Sequence, residues 1–102
     1  MTQTNLTTEQ TNFLLNYTPK DRMFTSSAEI VLIGVMFNLT ELTDLEIMLL
    51  RNNVVMFYHN KMKEETLFDG NGKYKGRTEL YDKYMIAMQS VTTVIDHVRY
   101  NR

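Results

Sequence analysis

Apolar and polar positions along the chain divide it into four helical segments of unequal character. Residues 30–37 form an almost unbroken apolar octet, and two long amphipathic stretches follow it. A chain of 102 residues has difficulty enclosing that much apolar surface alone. The pattern therefore predicts a single all-α domain over residues 1–102 that buries part of itself against something else, most simply copies of itself.

Three of the segments begin with a capping box, in which a Ser or Thr hydroxyl accepts from the backbone three residues on while a Glu or Gln there reaches back. The matches are Thr7 to Gln10, Ser26 to Glu29 and Thr43 to Glu46. The first helix is expected over 8–17, with Phe13, Leu14 and Tyr17 as its contacts and Pro19 closing it. The second is expected over 27–37. Nearly every position there is apolar, so periodicity does not exclude a buried strand, and the capping box decides for helix.

The third helix is expected over 44–67. Ile47, Met48, Leu50, Val54, Val55, Phe57, Tyr58 and Met62 make one wide apolar arc, and Leu49 and Met56 make a separate strip. Two apolar faces on one helix imply two neighbours. Asp69-Gly70-Asn71-Gly72 is a strong turn signal. The fourth helix is expected over 78–100, with Leu80, Tyr84, Ala87, Val91, Val94 and Val98 as a seam widened by Met88 and Ile95, and with Lys83, Ser90 and His97 opposite. The two long helices should form an antiparallel hairpin against which the two shorter N-terminal helices pack.

Charge and composition narrow the function classes. With 11 basic and 12 acidic residues the formal net charge is −1, which argues against nucleic acid as a partner. No cysteine is present, so disulfides and thiolate metal sites are excluded. The polar first ten residues do not read as a signal peptide, and the apolar octet falls short of the roughly 20 residues that cross a bilayer. A cytoplasmic protein without membrane contact is the expectation. Asn5-Leu6-Thr7 and Asn38-Leu39-Thr40 are then polar residues at helix starts rather than glycosylation acceptors.

Candidate chemistry is sparse. The segment 69–78 departs from a calcium loop at the sixth position, which is Tyr74 rather than Gly, and at the twelfth, Leu80 rather than Glu. It also lacks the Gly-Lys-Ser/Thr ending of a phosphate-binding loop. Lys73, Tyr74, Lys75 and Arg77 remain as a weak site for a small anionic ligand, such as a nucleotide or phosphate, near the start of the fourth helix. Arg51 and His59 invite comparison with small helical ribonucleases of the HEPN type, whose motif sets four to six residues between the two. Seven intervene here, and eight helical steps turn the pair apart by about 80°. Arg51 is instead expected to bond neighbouring acidic groups, and His59 to lie on a helix flank. Neither histidine sits in a zinc motif, and no nucleophile constellation is evident, so no metal and no cofactor are expected.

Eight methionines, flexible enough to fit irregular surfaces, point instead to protein binding. The expected function is a non-enzymatic interaction module that forms a homo-oligomer through Val31, Val35, Met36, Leu49 and Met56. Abundant Asn, Thr, Lys, Tyr and Met suit a low-GC bacterium or its phage, and by analogy an inhibitor or regulator of a host protein. The anionic-ligand site on 69–78 is the alternative.

Overall fold

The computed structural model describes residues 5–20 and 25–101. In chain order they form α1 (Thr8–Asn16), α2 (Ser27–Met36), a 3₁₀ turn (Leu39–Glu41), α3 (Asp44–Glu64), β1 (Thr66–Phe68), β2 (Tyr74–Arg77) and α4 (Glu79–Tyr100). All three capping boxes form. Thr7 Oγ1 accepts from Gln10 N at 3.1 Å while Gln10 Oε1 accepts from Thr7 N at 2.9 Å. Ser26 with Glu29 and Thr43 with Glu46 repeat the exchange at the starts of α2 and α3. Each cap satisfies amides that the first helical turn leaves without partners. Asn38 ends α2 in the left-handed conformation at φ 53°, which asparagine tolerates better than most side chains.

The apolar octet is helix, as its cap predicts. Helices α3 and α4 form the long antiparallel hairpin, and α1, α2 and the 3₁₀ turn pack on it. Leu14 of α1, Ile33 of α2, and Phe37 and Leu39 just beyond it meet Ile47, Leu50, Val54 and Tyr58 of α3 and Ala87, Val91, Val94 and Ile95 of α4 in one core. Each side chain of this size contributes about 1.5–3 kcal/mol when fully buried. The buried Tyr58 hydroxyl donates to Leu14 O at 3.1 Å, which ties α3 to α1 and satisfies the polar end of the ring. Burial first, then the neighbouring Tyr17 and Tyr84, push its ionisation far above the ordinary tyrosine range.

The chain after α3 differs from the sequence reading. Helix α3 stops at Glu64, and the chain then makes an antiparallel ribbon of β1 and β2 in place of a simple loop. Thr66 pairs with Arg77, Leu67 with Gly76 and Phe68 with Tyr74, with one extra residue on β2 where the register shifts. Asp69 builds the turn: its carboxylate accepts from Asn71 N and Lys73 N, both at 2.9 Å, and Gly72 supplies φ +79°. Thr78, just before α4, donates its hydroxyl to Glu65 at 3.0 Å across the ribbon base.

The other departures concern helix faces. Ser90 is buried rather than opposite the core, because α2, with Tyr17 after α1, covers a second side of α4 that one helical wheel treats as solvent-facing. Met48 and Leu80 are exposed; Met48 sits beside the fully buried Ile47 but on the other side of α3, with the exposed Leu45.

Candidate functional site

Helix α2 has two apolar faces. Inward it presents Ile33, fully buried, with Ile30 and Met36 packed more loosely against the core. Outward it presents Ala28, Val31, Leu32 and Val35, at the spacing that places residues on one helical stripe. Val31 is 65%, Leu32 51% and Val35 75% exposed. Over residues 25–40 the sole charged side chain is Glu29, and it is only 6% exposed, so the outer face carries no charge.

What pins the inner face explains why the outer one is presented. Glu29 does more than cap its own helix. Its carboxylate accepts from Tyr17 Oη at 2.9 Å, Lys20 N at 3.2 Å and Ser26 N at 3.0 Å, and so fastens the residues after α1 to the start of α2. Burial raises the carboxyl's affinity for a proton, but the converging donors outweigh burial and hold the group below the ordinary carboxylate range. Tyr17 moves the other way: burial first, then its bond to Glu29, push the phenol far above the ordinary tyrosine range, while Ser90 opposes them. Nothing in a capping glutamate's sequence context distinguishes one that is buried from the many that remain in water.

The residues singled out from sequence fall in three places. Val31, Val35 and Met56 are exposed, Met56 by 61% on the side of α3 away from the core. Leu49 is half-buried on that side of α3, where Leu45 and Met48 are also exposed. Met36 turns toward the core, so it is not part of the exposed stripe.

Lys73 ends the turn of the ribbon, and Tyr74, Lys75 and Arg77 lie on β2. Arg77 is taken up by Asp82 at 3.1 Å and lies 4.8 Å from the Tyr81 ring. Tyr74 packs edge-on against Phe68, with ring centroids 6.5 Å apart. Lys73 and Lys75 are exposed.

Elsewhere the polar groups are engaged with one another. Arg51 Nε donates to Asp96 Oδ1 at 2.9 Å and a terminal nitrogen to Oδ2 at 3.4 Å, joining α3 to α4 through an acid the sequence reading did not name. His59 is exposed on its helix flank, and His97 faces Asn101. Among the described residues no group of three His, Cys, Asp or Glu side chains could hold a metal ion, and no helix is long and apolar enough to cross a membrane. An open groove between the end of α1 and the first half of α4 is lined by Leu15, Tyr17, Pro19, Leu80 and Tyr84, with Lys83 its one charged lining residue. No protein-family model matches the chain, and no curated protein or solved structure shows significant similarity to it.

Proposed function

We propose that this chain is a non-enzymatic protein-interaction module that associates with a second copy of itself through the outer face of α2. The observation that carries this reading is the charge-free stripe of Ala28, Val31, Leu32 and Val35, exposed on a helix whose other side is locked into the core. An uncharged face gives a charged partner nothing to pair with. Against its own copy it leaves no buried ion unpaired, and interface centres are depleted of charge for that reason.

The area of this stripe alone is about half of what a stable dimer buries, so the contact is expected to be weak or to extend beyond these side chains. The exposed parts of Val31, Leu32 and Val35 amount to roughly 300 Å² per copy, or about 15 kcal/mol of gross apolar burial for two copies at about 25 cal/mol per Å². Association costs about 4–15 kcal/mol, and stable interfaces usually bury about 1,200–2,000 Å². The surplus is therefore small, and the dimer is expected to depend on concentration.

Light scattering across a concentration series tests this. The wild-type mass should rise toward twice that of one chain. Val31→Glu and Val35→Glu should each hold the mass at one chain without disturbing the fold, because both side chains point outward. A wild-type chain that stays monomeric throughout would refute the reading, as would an oligomer that neither substitution weakens.

A further inference from the structure

We propose that the groove between the end of α1 and the first half of α4 binds a small carboxylate with an aromatic body. This goes beyond association through α2 and uses a different part of the molecule. The groove holds about 320 Å³, at the small end of the roughly 300–1,000 Å³ that small-molecule sites occupy. Such a space suits one ring with a short acidic arm. Both walls are apolar: Leu15 and Pro19 on the α1 side, Leu80 on α4, and the rings of Tyr17 and Tyr84. Leu15 and Leu80 are exposed, so each leaves apolar surface for a ligand to cover.

The polar groups narrow the ligand class. Lys83 is the one charged side chain lining the groove, and no carboxylate among the described residues lies within ion-pair distance of its ammonium. Asp82, next to it in sequence, is already held by Arg77 at 3.1 Å. An uncharged apolar ligand would leave this ammonium without a counter-ion, and a bare inorganic anion would leave the walls wet. A ligand with both parts answers both. One ammonium matches the single charge of a carboxylate, and two tyrosine rings favour an aromatic body, because ring contacts add to simple area burial.

The wall opposite α4 is fixed before any ligand arrives. Glu29 accepts from Tyr17 Oη at 2.9 Å and from Lys20 N at 3.2 Å, and the Tyr58 hydroxyl donates to Leu14 O at 3.1 Å. Residues 15–19 are thus tethered at both ends, although 17–19 lie outside any helix, and Pro19 restricts the backbone further. A wall already ordered adds no ordering cost at the moment of binding.

Titration of the full chain with phenylbutyrate, followed by backbone amide shifts in NMR and by calorimetry, tests this. Saturable shifts should centre on residues 15–20 and 80–86. Lys83→Met keeps the aliphatic stem, removes the charge and should weaken binding about tenfold, whereas Lys75→Met on the ribbon should leave it unchanged. Phenylbutanol, the uncharged counterpart, should bind wild type about tenfold more weakly than phenylbutyrate, and that gap should close in Lys83→Met. Absence of saturable shifts at the groove would overturn the proposal, as would shifts centred on the outer face of α2. Equal affinity of wild type and Lys83→Met would overturn the ligand class. Equal weakening by Lys75→Met would show that only net charge matters, and would overturn the site.

Discussion

Replacing Glu29 by alanine should destabilise the fold far more than removal of a helix cap ordinarily does. A lost cap costs about 1 kcal/mol. Here the carboxylate is 6% exposed and accepts from Tyr17 Oη, Lys20 N and Ser26 N, so its removal leaves three donors without an acceptor. An unsatisfied buried donor costs about 1–3 kcal/mol, but these sites are only part-buried, and removing the charge also relieves its own desolvation. The net loss should be about 2–3 kcal/mol, a substantial part of the total for a small domain. Equilibrium urea unfolding at neutral pH measures it.

The pH dependence gives a second, independent reading of the same group. The carboxyl is held below its ordinary value of 4.5 in the folded chain, so its contribution is fully present above that value and is lost as pH falls through the folded value. The stability difference between wild type and Glu29→Ala should therefore shrink on acidification below pH 4.5. A neutral-pH loss under about 0.5 kcal/mol would refute the argument that this carboxylate fastens α1 to α2. A difference that stays constant through the acidic range would refute the ionised form as the one that matters.

Two further perturbations separate buried from exposed polar contacts. Tyr58→Phe removes the hydroxyl donor to Leu14 O and should cost about 1 kcal/mol, read as a lower urea midpoint with unchanged slope. Arg51→Ala should change stability by no more than about 1 kcal/mol despite its two-point contact with Asp96, because the two side chains are 39% and 33% exposed. A loss of 3 kcal/mol there would show that the pair is far less hydrated than its exposure indicates.

Much of this architecture was legible from local signals. Each capping box places two side chains within one turn of a helix start, so it reports a boundary without reference to the rest of the fold, and Thr7, Ser26 and Thr43 all stand where the pattern puts them. The seam of α4 was legible through Ala87, Val91, Val94 and Ile95, all buried. Ser90 was misread because a polar residue opposite a seam looks solvent-facing until a second layer of helix covers it. The ribbon escaped because strands of three and four residues are too short for alternation to show, although Asp69 to Gly72 marked its turn. For the exposed stripe, composition signalled an excess of apolar surface. It could not say which side of α2 faces outward, since the helix is apolar all round and only the packing of Ile33 breaks that symmetry.

The order of the elements has a consequence for how the chain assembles. Helix α3, the ribbon and α4 are consecutive, so the largest packed interface joins segments close together in sequence, which favours rapid formation. Helices α1 and α2, with the turn after them, pack on this hairpin through the buried Leu14, Ile33, Phe37 and Leu39 as well as the bond from Tyr58 to Leu14. Helix α2 meets α4 across the whole of α3 and the ribbon, so its docking closes a longer loop than the hairpin does, at a modest extra entropic cost. Burial of Ile33 and its neighbours has to offset that cost before α2 stays in place.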